Sequence, residues 1–126
     1  MNEISSTRIA KPLAWMRPHL EIYKQAFPDA RLPVQIKRRR SSPRRFSRTR
    51  VSSMWTVGLC DRANDVIEID TEERSKMAQL RTLAHELAHL EGLGHGPDHD
   101  RRTAEIGTLF GADKWDEKDL WGRWEL

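Results

Sequence analysis

Hydrophobic residues that recur at every third or fourth position predict two amphipathic helices in this chain. The first occupies residues 13–27, and its apolar stripe is formed by Leu13, Met16, Leu20, Tyr23 and Phe27. The second runs from residue 71 to about residue 91 and has a wider stripe, formed by Met77, Leu80, Leu83, Ala84, Leu87 and Leu90. We expect Thr71 to cap this second helix, because a hydroxyl residue followed by acidic residues is typical of a helix start. Residues 101–110 predict a third, shorter helix.

Alternating hydrophobic and polar residues predict short strands at 32–37 and 66–70, and the segment 51–59 predicts another. The polar residues 61–65 are typical of a turn between the last two strands. These elements predict an α+β fold in which an N-terminal helix and a short, mostly antiparallel sheet pack on the second helix. A length of 126 residues is enough for one such domain, so we assign residues 1–126 to a single domain.

Composition argues against two classes of protein. The chain has one cysteine, Cys60, so no internal disulfide can form and a secreted, disulfide-stabilised module is not expected. The first 30 residues contain no apolar run of signal-peptide length, and no segment approaches the roughly 20 apolar residues of a membrane span. We therefore expect a cytoplasmic protein without a membrane partner.

The net charge of +3 is the sum of two unlike halves. Residues 1–60 carry 13 basic and 3 acidic residues, whereas residues 61–126 carry 9 basic and 16 acidic residues. Eight of the basic residues lie in the segment 37–50, which contains no acidic residue, so we expect a charged loop or arm there. Three roles are open for it: a solvated loop, a contact with an acidic protein, or binding to the phosphates of DNA or RNA. The residues that would contact nucleic acid are Arg38, Arg39, Arg40, Arg44 and Arg45.

Four of the five histidines lie between positions 85 and 99, and their spacing is that of metal ligands. His85 and His89 are four residues apart, so on a helix both imidazoles project from one face and suit two positions of a tetrahedral Zn²⁺ site. Glu86 is rotated by about 100° from His85 around the helix. It therefore lies beside the metal, where a general base acts on a water molecule.

A third ligand is expected six residues after His89, at His95. Gly92 lies between the two and can adopt a positive φ that turns the chain back toward the metal. The pattern H-E-x-x-H-x-x-G-x-x-H thus predicts that His85, His89 and His95 bind Zn²⁺ and that Glu86 is a general base for a metal-bound water. A non-catalytic, basic nucleic-acid-binding protein with a structural metal site is the alternative that these residues leave open.

This window resembles the zincin metallopeptidases, and in particular the extended histidine motif of the metzincin clan. The motif spans positions 85–95, and with the preceding strand and helix the resemblance reaches back to position 66. Because no methionine follows His95 to form the methionine turn of the metzincins, the chain is more similar to the minimal SprT-like and WLM proteases. Those are intracellular zinc proteases, several of which cleave proteins attached to DNA. The resemblance implies a minimal zincin-like domain that acts on a protein or peptide substrate.

Two other resemblances give alternative functions. The chain is similar to ImmA-like peptidases, in which a downstream glutamate completes the metal site, and here Glu105 would take that position. It is also similar to YbeY-type endoribonucleases, which share the three histidines and the glycine but have glycine in place of Glu86. Close after the third ligand, His99 and Arg101 are candidates to stabilise the transition state, and Glu105 is also a candidate to orient a ligand histidine.

Overall fold

The computed structural model describes residues 6–39, 58–71 and 75–112. In chain order, the elements are β1 (Arg8–Ile9), a 3₁₀ helix (Lys11–Met16) that continues into α1 (Arg17–Ala26), β2 (Gln35–Arg39), β3 (Gly58–Asp61), β4 (Val66–Asp70), α2 (Lys76–Leu90) and α3 (Pro97–Leu109). The described residues thus form a small α+β fold, as the sequence predicts. Among them, no helix combines the length and the apolar character that a membrane span requires.

The sheet is mixed, and the expectation of a mostly antiparallel sheet is wrong. Its strand order is β1-β2-β4-β3, in which β1 and β2 pair in parallel, β2 and β4 pair in parallel, and only β3 runs antiparallel, next to β4. The parallel pairing of β1 with β2 follows from the helical connection between them, because a crossover returns the chain in the same direction. The turn at residues 62–65 makes β3 and β4 a hairpin, so β3 is an edge strand among the described residues.

Helix α2 is the centre of the fold. Twelve of its 15 residues are buried, because it packs against β3 and β4 on one side and α3 on the other. It begins with Ser75 as the N-cap, whose Oγ accepts a hydrogen bond from the amide of Ala78 at 3.1 Å. The expected cap at Thr71 is therefore wrong. Three isoleucines of the sheet and the apolar residues of all three helices complete the core, in which α2 packs against the sheet.

Further segment boundaries differ from the expectation. The strand expected at 32–37 lies at Gln35–Arg39, so the first residues of the expected charged loop, including Arg38 and Arg39, are in a strand. Arg39 there forms an ion pair with Glu68 of β4 at 3.2 Å. Helix α3 starts at Pro97, a residue whose fixed φ suits the first helical position. Residues 40–50, with Arg40, Arg44 and Arg45, lie outside the described residues, as do 51–57 and 113–126, so nucleic-acid contact stays a prediction.

Candidate metal centre and cleft

The imidazoles of His85, His89 and His95 converge because of the local backbone. His85 and His89 lie one turn apart on α2, which ends at Leu90. Gly92 then has a φ of 104°, in the left-handed region that glycine adopts without strain, and the chain turns back toward the helix. The structure thus brings together the three histidines whose spacing predicted a metal site.

The distances between these nitrogen atoms match those around a tetrahedral ion. The Nε2 atoms lie 3.2 Å apart for His85 and His89, 3.0 Å for His89 and His95, and 3.4 Å for His95 and His85. Ligands at about 2.0–2.1 Å from a tetrahedral Zn²⁺ are separated by about 3.3–3.4 Å. Each neutral Nε2 either donates or accepts, so three mutual contacts cannot all be hydrogen bonds. An arrangement in which all three nitrogens direct a lone pair at one cation is compatible with these distances.

Hydrogen bonding and burial keep two of these histidines in the form that binds metals. His89 Nδ1 donates to the carbonyl oxygen of Leu93 at 2.8 Å, which leaves the ring's lone pair on Nε2, toward the other two imidazoles. Burial above all, with a smaller contribution from the neighbouring histidines, lowers the pKa of His89 to about 4 and the pKa of His85 to about 2. Both rings are therefore neutral at pH 7, as metal coordination requires.

His99 of α3 belongs to the same cluster. Its ring is 1% exposed and stacks on His89 at 4.0 Å between centroids, and its Nε2 donates to the backbone oxygen of His85 at 3.0 Å. Its Nδ1 makes no hydrogen bond within the described residues. His85, His89 and His99 offer ligand atoms within 4.8 Å of one another, which is close enough to hold a metal ion. Two histidine triads thus overlap, and the shorter separations favour the one that contains His95, with His99 supporting both helical histidines.

An open cleft of about 360 Å³ lies beside the histidines. Its walls are the edge of β3, the turn after it, and α2 with the segment that follows it; the lining residues are Gly58, Leu59, Cys60, Arg62, Glu86, His89, Gly92, Leu93, Gly94 and His95. Glu86 is 3% exposed and faces this cleft together with His89 and His95. A carboxylate and two candidate ligands around one space are what general-base catalysis at a metal requires.

Gly58 of β3 allows the sheet to approach Glu86. A Cβ atom at this position would lie 2.7 Å from Glu86 Oε2 and 2.5 Å from Thr82 Cγ2. Both distances are far below van der Waals contact. The absence of a side chain at residue 58 therefore leaves the space that the Glu86 carboxylate occupies.

The structure places the other two candidates on α3 away from the cleft. Arg101 is exposed and pairs with Asp98 at 3.1 Å, and Glu105 accepts a hydrogen bond from Arg102 at 2.9 Å. Both side chains are outside the histidine cluster and outside the cleft wall. The reason is helical geometry, because residues 101 and 105 are rotated by roughly 200° and 240° from the inward-facing His99. The ImmA-like ligand set with Glu105 thus gains no support, and the ribonuclease alternative stays a prediction.

Two residues of the cleft have no role in the sequence analysis. The sequence places Arg62 only in a turn, and its position in the cleft depends on how the β3–β4 hairpin packs against α2. Cys60 is a half-buried strand residue, and burial with the nearby Glu86 carboxylate raises the pKa of its thiol to about 12. Cys60 is therefore a protonated wall residue and not a nucleophile at neutral pH.

Comparison with known proteins adds no relative to these observations. No protein-family model matches the sequence, no curated protein is similar to it, and no solved structure resembles the fold closely enough to match. Inferences about function therefore depend on the residues and their geometry.

Proposed function

We propose that this protein is a zinc-dependent peptidase in which His85, His89 and His95 hold the metal and Glu86 is the general base. One observation carries the proposal: three Nε2 atoms converge at 3.0–3.4 Å beside a buried carboxylate that faces the same cleft. A histidine triad alone suits a structural site as well. The buried glutamate that faces the same cleft favours hydrolysis, because general-base catalysis needs a carboxylate beside the metal and a structural site does not.

The chain's own residues supply the proton transfers and the alignment. A zinc ion held here would supply Lewis-acid chemistry that polarises a scissile carbonyl and makes a water molecule more acidic. Glu86 accepts a proton from the attacking water and passes it to the amine that leaves. The backbone oxygen of Leu93 orients His89, and His99 holds the backbone of His85, so the ligands are preorganised.

A peptide suits the cleft because one wall is the edge of a sheet. β3 is one of the two edge strands of the described sheet, and its residues 58–60 line the cleft. Such an edge offers N–H and C=O groups to which an extended peptide can add as a further strand. A peptide bound in this way would pass Glu86 and the histidines with its backbone exposed to attack.

The substitution Glu86→Gln tests the proposal. We expect the variant to bind one zinc ion per chain like the wild type, because no metal ligand changes, and to lose peptidase activity by a factor of about 10²–10⁴. Zinc content is measured by elemental analysis, and cleavage is measured on an unfolded protein with a terminal label. Glu105→Gln is the matched control, since it makes the same chemical change on an exposed carboxylate outside the cleft.

Three outcomes would contradict the proposal. If the wild-type protein binds no zinc, the proposed metal site is wrong. If the Glu86→Gln variant still cleaves the substrate, Glu86 is not the general base. A zinc-loaded wild type that cleaves RNA and no protein supports the endoribonuclease alternative, so a single-stranded RNA is assayed beside the protein substrate.

A further inference from the structure

The side chain of Arg62 forms part of the wall of the cleft beside the histidines. Among the ten lining residues that belong to the described ranges it is the only arginine or lysine, and the others are apolar residues, glycines, two histidines, Cys60 and Glu86. Its side chain makes no hydrogen bond or ion pair with any other residue in the described ranges. The guanidinium therefore faces the cleft with its donors available to a bound molecule.

The backbone of Arg62 is anchored in the turn, and its guanidinium lies close to Gly92. The backbone oxygen of Arg62 accepts a hydrogen bond from Arg31 at 3.0 Å, and Arg31 also forms an ion pair with Asp65 in the same turn. Across the cleft, a Cβ atom on Gly92 would lie 3.4 Å from Arg62 Nη2, so the guanidinium lies over the glycine that turns the chain back. The arginine thus faces the segment that connects two of the candidate ligands, His89 and His95.

The geometry points to Arg62 as the residue that selects the substrate, by binding a carboxylate of the peptide that lies in the cleft. This inference rests on the proposed peptidase function and names its substrate class. The planar guanidinium presents paired N–H donors that match the two oxygens of a carboxylate, which a lysine in the same place would not reproduce. Arg62 is exposed and the cleft is open, so a carboxylate of a bound peptide can reach these donors from solvent.

Two parts of a peptide can supply the carboxylate, and the paired N–H donors of Arg62 can bind either of them. One is the side chain of an acidic residue near the scissile bond, and the other is the free C-terminus of the substrate. In the first case the enzyme cleaves inside acidic segments, and in the second it removes residues from peptide ends.

The test measures peptide binding separately from cleavage. The proteins are zinc-loaded Glu86→Gln, which binds without turnover under the proposed function, and the same variant with Arg62→Ala, Arg62→Lys or Arg101→Ala added. Arg101→Ala is the matched control, because it removes one exposed arginine that does not line the cleft. The probes are fluorescent decapeptides: a neutral one with an amidated end, the same with a single Glu at each position in turn, and the neutral one with a free C-terminus.

We expect one carboxylate peptide to bind about tenfold more tightly than the neutral peptide, a typical gain for a charge-assisted, bidentate contact. Arg62→Ala removes that gain, Arg62→Lys keeps only part of it, and Arg101→Ala keeps all of it. Preference for an internal Glu identifies a side-chain carboxylate, and preference for the free end identifies the C-terminus. In the active enzyme, Arg62→Ala raises KM for the preferred peptide and changes kcat little.

Different results overturn the inference and the proposed function. Equal binding of neutral and carboxylate peptides, or a preference that survives Arg62→Ala, overturns the role of Arg62. So does an Arg62→Ala enzyme whose kcat falls equally for all peptides at unchanged KM, because that result places the guanidinium on the reacting carbonyl. A wild type that cleaves none of the peptides, while binding still depends on Arg62, overturns the peptidase function and leaves the carboxylate site standing.

Discussion

At Gly58, the backbone of β3 lies directly against the carboxylate of Glu86, and the substitution Gly58→Ala tests how strictly that carboxylate must be placed. The added Cβ atom would meet Glu86 Oε2 at 2.7 Å and Thr82 Cγ2 at 2.5 Å. One of these groups or the strand has to move. None of the candidate metal ligands is among the atoms that the methyl group meets first, so the change acts on the base and leaves the metal site in place.

The distances give the size of the effect. Restoring an ordinary contact of about 3.4 Å from 2.7 Å requires a shift of about 0.7 Å at Glu86. A misplacement of about 1 Å in a catalytic group can cost about 100-fold in rate, so we expect peptidase activity to fall about 10- to 100-fold. Overpacking of this kind also costs about 1–3 kcal/mol in the free energy of unfolding.

Gly94→Ala is the matched control, because Gly94 lines the same cleft and a Cβ atom there has no neighbour within 4 Å. Cleavage, zinc content and urea denaturation are measured for both variants. Adding Thr82→Ser to Gly58→Ala removes the methyl group at 2.5 Å and keeps the hydroxyl that bonds to the oxygen of Ala78 at 3.1 Å. We expect the free energy of unfolding to recover more than activity does. Full activity in Gly58→Ala, or loss of zinc in it, would refute the reasoning.

Three further predictions concern the ligands, the framework and pH. His95→Ala should weaken zinc binding by at least about 100-fold in a competition titration, whereas Glu105→Ala should leave it unchanged; the opposite result would favour the glutamate ligand. Tyr23→Phe removes the buried hydroxyl that donates to Glu91, so urea denaturation should show a loss of about 1–3 kcal/mol, and no loss would mean that this contact is not formed. Burial lowers the pKa of His85 from 6.5 to about 2, so between these two pH values only the unfolded chain takes up a proton at this histidine. The free energy of unfolding of the metal-free protein should therefore be highest above pH 6.5 and fall as the pH decreases below it. Denaturation at several pH values checks this, and a free energy of unfolding that does not change with pH contradicts it.

The elements with strong periodicity could be predicted from the sequence, and the pairing of the strands could not. The alternation at Val66–Asp70 gives β4 with its observed limits. The strand Arg8–Ile9 has two residues, too few for any alternation, and its parallel pairing with β2 depends on the helical crossover between them. Thr71 and Ser75 are both hydroxyl residues near the start of α2, and the acidic residues after Thr71 favour the wrong one. Local patterns therefore predicted the elements, while register and direction are set by tertiary packing.

The candidate site also contains some residues that the sequence pattern predicts and others that only the tertiary structure brings there. The three candidate ligands and Glu86 lie between positions 85 and 95, so a helix and a glycine turn are enough to bring them together, and their spacing reveals them. Gly58 and Arg62 belong to a hairpin that only the packing of β3 against α2 brings to the same cleft. Under the proposed function, the residues for metal and base chemistry thus lie in one short segment, while the space for the base and the proposed contact with the substrate depend on the hairpin. Substitutions in the hairpin should therefore change which peptides are cleaved, or how fast, without changing zinc affinity, and substitutions of the histidines should do the reverse.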